Sequence, residues 1–146
     1  YDCEHCRRFA LEQRPWIDEE YVATGRIGIE RIYVAMTPLG KRQAQAALCA
    51  AEQGKFDDMD AFLLTQTPKT DVAIWAQAPK VGLNIAMLKT CMQTMYVPDG
   101  EYQFVENDII SRVPAFRIGS QKWMGLESRS VIEKNLNDAI REASAR

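Results

Sequence analysis

Tyr1-Asp2-Cys3-Glu4-His5-Cys6-Arg7-Arg8-Phe9 holds two of the chain's four cysteines and its single histidine. Two cysteines at i and i+3 close a small ring when the first sits at a helix N-terminus, where unsatisfied amides and the helix dipole favour an anion. The thiolate, not the thiol, attacks disulfides, so such a position lowers the Cys3 pKa from the free value of about 8.5. His5 lies between the sulfurs and can donate toward Cys3. Arg7 and Arg8 add positive charge one turn later, while Asp2 and Glu4 oppose it. A stabilised thiolate makes the disulfide easier to reduce, hence a stronger oxidant. Three other readings compete: half of a zinc site, a structural bridge, and a His5 that is only a solvated bystander. Zinc needs two further ligands, and Cys49 and Cys91 stand alone, with no neighbouring His or Cys.

The rest of the composition narrows the classes. The chain has 146 residues, 47% of them hydrophobic and 26% charged, with a net charge of −2. This is one domain's worth of ordinary globular sequence, expected as a single domain over 1–146. The slight acidic balance argues against nucleic acid as a partner and against a polybasic membrane surface. No apolar run approaches the roughly 20 residues of a membrane span. The lone histidine sits in the cysteine motif, so no Ser/His/Asp set can form. No phosphate-cradling glycine loop occurs. Asp57-Asp58 reads as a solvated helix face.

The hydrophobic period gives a mixed α/β chain. Helix is expected from Arg7 to Gln13, until Pro15 disrupts it, then from Trp16 to Thr24, closed by Gly25. Ile27 to Met36 is rich in β-branched residues and reads as a strand partly buried on both faces. A helical block follows, over about 39–111. Ala44, Ala47, Leu48 and Ala51 mark its first helix, stopped at Gly54. Phe56, Met59 and Leu63 mark a second; Val72, Trp75 and Ala76 a third; Ile85, Leu88, Met92 and Met95 a fourth. A fifth, capped by Asp99, would carry Tyr102, Val105 and Ile109. Met87, Met92 and Met95 read as core filling. Residues 113–146 then hold a hairpin, 115–118 and 122–124 about a Gly119-Ser120 turn, and a terminal helix on Ile132, Leu136, Ala139, Ile140 and Ala143. Ser130 and Glu133 suggest its capping box.

Cys49 and Cys91 favour a structural disulfide, because neither has basic or helix-start surroundings to activate it. A second redox pair and two buried free thiols remain alternatives. If the bridge forms, the compartment is oxidising. Pro114 opens the hairpin, where a strand tolerates it. On sequence alone it is an ordinary proline, since only about 5–6% of X-Pro bonds in folded proteins are cis.

The ordered set resembles the DsbA-like thiol:disulfide oxidoreductases of the thioredoxin superfamily. Residues 1–9 resemble their active-site helix start, and Ala46 to Phe56 their inserted helical block. Val113-Pro114-Ala115-Phe116 resembles their cis-proline loop. The resemblance implies a thioredoxin-like fold with a helical insertion. Cys3 would be the exposed nucleophile, Cys6 its buried partner, and His5 the group stabilising the Cys3 thiolate. Val113 and a cis Pro114 would align an extended substrate segment like an added strand. A second disulfide within the helical block suits Cys49 and Cys91. No cofactor or metal is implied. Cysteine-containing proteins would be the substrates, a membrane quinone-linked protein would reoxidise the site, and the place would be the periplasm or another part of the bacterial envelope.

The resemblance departs at one point. The family's central strand runs straight into the Cys-x-x-Cys, and here only Tyr1-Asp2 precede it. The expectation is a fold lacking that strand, or one that receives it from residues before Tyr1 or from another chain. The family's buried acidic residue near the cysteines cannot be located either.

Overall fold

The computed structural model describes residues 1–99, 102–103 and 109–146. The helices are α1 (Glu4–Arg8), α2 (Arg14–Ile17), α3 (Pro38–Glu52), α4 (Phe56–Gln66), α5 (Asp71–Gln77), α6 (Ile85–Thr94) and α7 (Arg129–Ser144). The strands are β1 (Tyr102–Gln103), β2 (Ile109–Ile110), β3 (Ala115–Ile118) and β4 (Gln121–Met124). Two compact units result, Tyr1–Cys3 with Ile32–Gln103 and Glu4–Arg31 with Phe104–Arg146.

In the first unit α3 is the central helix. Thr37 caps it, its hydroxyl accepting from the Gly40 amide at 3.0 Å, and Pro38 follows in the first turn, where a missing N–H costs nothing. Ala46, Ala47, Cys49 and Ala50 are fully buried. Such short side chains let neighbouring helices approach closely. Met59 and Leu63 of α4, Ile74 of α5, and Leu88 and Met92 of α6 fill the space around them. Arg42 fixes the arrangement with a fork of bonds. Its Nε and Nη2 donate to Asp71 at 3.0 and 2.6 Å, and its Nη1 to the Met92 carbonyl at 2.8 Å. Fully buried Gln43 donates to the Pro68 carbonyl at 2.9 Å.

In the second unit a helical run from Glu4 to Val22 packs against α7 through Ile17, Tyr21, Ile132 and Leu136. β3 and β4 pair antiparallel from Ala115↔Met124 to Ile118↔Gln121. Gly119 turns the hairpin at φ +55°, a conformation that glycine adopts without strain. Arg129 lies 4.5 Å over the Trp16 ring and pairs with Glu20 at 2.6 Å, which ties the start of α7 to the helical run.

Several expectations need correcting. Pro15 does not interrupt the first helix. Phe9–Gln13 is a π-helical turn in which the Arg14 amide donates to the Phe9 carbonyl, five residues back. The wider turn absorbs a proline that has no N–H to satisfy. Residues 27–34 form no strand, and the stretch meets a ladder at one bridge, Ala35 to Asp99. Ile29 and Ile32 are exposed, because β-propensity is realised only against a neighbouring strand. The fifth helix is absent from its described part, since Tyr102–Gln103 and Ile109–Ile110 are strands; Val105 lies outside the described residues. Ile74, not Val72 or Ala76, is the buried face of α5. Met92 is buried but Met87 is exposed. Ser128, not Ser130, caps α7.

Cys49 and Cys91 are bonded, joining α3 to α6 across a Cα separation of 5.8 Å. The closed loop spans 42 positions, so the link restricts the unfolded chain by about 2–4 kcal/mol. A Cys49→Ala, Cys91→Ala double variant is expected to lose that much stability in chemical denaturation. Unchanged stability would show that packing of α3 on α6 suffices without the link.

Candidate functional site

The segment leading to the first cysteine is anchored within its own unit. The Tyr1 ring stacks on Tyr33 with centroids 5.5 Å apart. Its hydroxyl donates to Asp60 Oδ1 of α4 at 2.6 Å and lies 3.1 Å from the Tyr33 hydroxyl. Burial, reinforced by Tyr33 and Asp60, raises the Tyr1 pKa far above its ordinary 10.0. Next along the chain, the Asp2 carboxylate accepts from the Thr37 hydroxyl. It also lies against Gly40, where a Cβ would sit 2.5 Å from Asp2 Oδ1.

All four cysteines are oxidised, and Cys3 and Cys6 are paired with each other. Cys3 directly precedes α1 and Cys6 lies within it, because a helix start sets residues i and i+3 on one side. Both cysteines are half-buried, and His5 is exposed between them. Their burial therefore does not separate an outer from an inner cysteine. The positive charge expected one turn below is met by carboxylates. Arg7 donates to Glu4 at 3.0 Å and Arg8 to Glu12 at 3.3 Å.

Within the second unit the cysteine helix is braced by aromatic rings. Phe9, one turn after Cys6, lies 4.4 Å from Phe116 of β3. Phe116 stacks on Trp123 of β4 at 4.9 Å, 19° from parallel. Contacts of this kind contribute about 0.5–1.5 kcal/mol each beyond the area they bury. Immediately before β3 the Val113-Pro114 peptide is cis. Pro114 is buried, and its carbonyl accepts from the Gly125 amide at 2.7 Å, closing the open end of the hairpin. Val113 is half-buried beside it. The contact of Phe9 with Phe116 thus links the element bearing Cys6 to the strand that begins after Pro114.

Cys49 and Cys91 have different surroundings. Cys49 has no exposed surface, and Glu52 Oε2 lies 3.3 Å from the Cys91 sulfur. A carboxylate at that distance disfavours a thiolate, so this bond is poorly placed for exchange.

Tyr33, Asp60, Thr37 and Gly40 hold the segment before Cys3 and Trp123 stacks on Phe116; none of these five is singled out by the sequence, whereas Phe116 falls in the stretch that carries the resemblance. Thr37-Pro38 is a legible helix-start signature. That Asp2 would meet it is not legible, since the two lie 35 positions apart.

The Tyr1 phenol generates a pH prediction. Its folded pKa lies above its unfolded value of about 10.0, so its contribution to stability is complete below that pH. The contribution falls as pH rises past 10, because the unfolded chain releases the proton first. Tyr1→Phe is expected to cost about 1–2 kcal/mol at neutral pH through the lost bond to Asp60 and to flatten the alkaline slope. A variant with the parent's slope would assign that loss to another group.

A family described as Thioredoxin matches residues 1–138 of the chain. No curated protein and no solved structure matches it.

Proposed function

The chain belongs to the thioredoxin family, and from that premise we propose that it is a DsbA-like oxidase that introduces disulfides into exported proteins. The observation that carries this reading is the joined Cys3–Cys6 pair at a helix start, with the exposed His5 between its members. A reduced substrate thiolate attacks the Cys3 sulfur. The Cys3–Cys6 bond breaks, Cys6 leaves as a thiolate, and a mixed disulfide forms on Cys3. The substrate's second thiolate then attacks its own sulfur in that bond, and Cys3 leaves as a thiolate. The substrate gains a disulfide, and Cys3 and Cys6 take up its two electrons. His5 favours the departing Cys3 thiolate. Val113 and the cis Pro114 offer backbone against which an extended substrate segment aligns.

The Cys49–Cys91 bond supports an oxidising compartment, which we take to be the periplasm or another part of the bacterial envelope. A membrane quinone-linked protein would accept the two electrons and restore the site. Disulfide isomerisation or reduction would use the same sulfur steps with the opposite poise.

The test is the Cys3 pKa together with the equilibrium against glutathione. The oxidase reading expects a pKa below the free value of about 8.5 and a potential well above the roughly −270 mV of a reductase. His5→Ser should lower the potential by about 30 mV, a tenfold change in equilibrium constant. A Cys3 pKa above 8 with a potential near −270 mV would establish a reductase instead. Cys6→Ser, given a disulfide-bearing substrate, should accumulate the mixed disulfide on Cys3, detected by mass: the Cys3 thiolate attacks the substrate's S–S bond, one substrate sulfur leaves as a thiolate, and no Cys6 is present to resolve the product. Cys3→Ser should abolish oxidation, and full retention of biological activity in that variant would favour a redox-inert binding module instead.

A further inference from the structure

Building on the exchange reading above, we propose that Asp2, Thr37 and Gly40 act as positioning residues that set how strongly Cys3 holds negative charge. Asp2 immediately precedes the nucleophile, and a carboxylate there opposes a thiolate by like-charge repulsion. Its charge is instead directed onto the first turn of α3. One oxygen accepts from the Thr37 hydroxyl, and the other lies over Gly40. The N-terminus of α3, a helix of 15 residues, carries partial positive charge that compensates an anion.

Gly40 is what admits the carboxylate. A Cβ there would stand 2.5 Å from Asp2 Oδ1 and 3.2 Å from its Cγ. Glycine in a helix costs about 1 kcal/mol relative to alanine, and this close approach accounts for its presence in the first turn. The other charges near the segment have partners of their own. Asp60 accepts from Tyr1, Glu4 meets Arg7, and Lys41 of α3 meets Asp99 at 2.6 Å. His5 is exposed on the far side of Cys3 in sequence. Among the described residues, what meets the Asp2 carboxylate is thus a hydroxyl and the end of a helix.

The proposal gives substitutions of opposite sign. Asp2→Asn removes the charge but keeps the side-chain shape, so the Cys3 pKa should fall and the disulfide become about three- to tenfold easier to reduce with glutathione. Thr37→Val keeps the charge and removes its hydroxyl partner, so the pKa should rise and the equilibrium move about as far the other way. Gly40→Ala, which pushes the carboxylate off the helix, should follow Thr37→Val. In an Asp2→Asn background Thr37→Val should shift nothing further, as expected when two residues act through one charge.

The measurements are thiolate ultraviolet absorbance and glutathione equilibrium on the full chain, with denaturant stability read alongside. A purely structural clamp would change stability and leave the signs alike. Shifts of the same sign, absent shifts, or a Thr37→Val effect that survives without the Asp2 charge would each overturn the proposal. Should Thr37→Val fail to fold, Gly40→Ala and Asp2→Asn still give the opposed pair. A parent chain that does not exchange with glutathione at all would instead remove the redox reading itself.

Discussion

Close approach of helices to α3 is the constraint on which the first unit depends. Ala46, Ala47 and Ala50 are fully buried, so the neighbouring helices supply the large side chains and α3 supplies the space. A methyl group gives little area to bury on its own, and stability comes from Met59, Leu63, Ile74, Leu88 and Met92 closing over it. A larger residue at any of these alanines would force the neighbours apart, with the cost of overpacking a dense core. The same helix carries the Arg42 fork and Cys49 along its length and meets Asp2 at its N-terminus. One helix therefore organises a core, a covalent link and the segment that leads to Cys3.

A redox pair has to lose its own covalent bond in use, so what holds its residues must be non-covalent. The structure meets this requirement separately in each unit. Tyr1 and Asp2 are held by Asp60, Tyr33, Thr37 and Gly40. The helix bearing Cys6 is held by Phe9 on Phe116 and, further along, by Ile17 and Tyr21 against α7. None of these contacts involves a sulfur, so reduction leaves them in place.

Local features were legible in the sequence where the chain itself supplies the partner. The hairpin at 115–124 is announced by its turn residues, and the helices of the block by their apolar spacing and by Gly54. Features that depend on a distant partner were not. Residues 27–36 have the composition of a strand yet carry one bridge, at Ala35, because composition does not state what lies alongside. The effect of Pro15 is hidden for a related reason, since it depends on whether the turn before it is tight or wide. At the site, the cysteine spacing was plain, whereas the stack of Phe9 on Phe116 and the contact of Asp2 with Thr37 join residues far apart in sequence.

The two disulfides show why spacing alone does not make a bond reactive. Exchange requires the leaving sulfur to carry negative charge. Glu52 beside Cys91 works against that, and the full burial of Cys49 bars an attacking thiolate. Cys3 directly precedes α1, where a helix start favours an anion, and the Asp2 carboxylate before it is bonded to the Thr37 hydroxyl at the cap of α3. Both bonds are present in the same folded chain, and the one at the helix start is the better placed of the two for exchange. The difference lies in where each carboxylate points, which is a property of the fold rather than of the cysteine pattern.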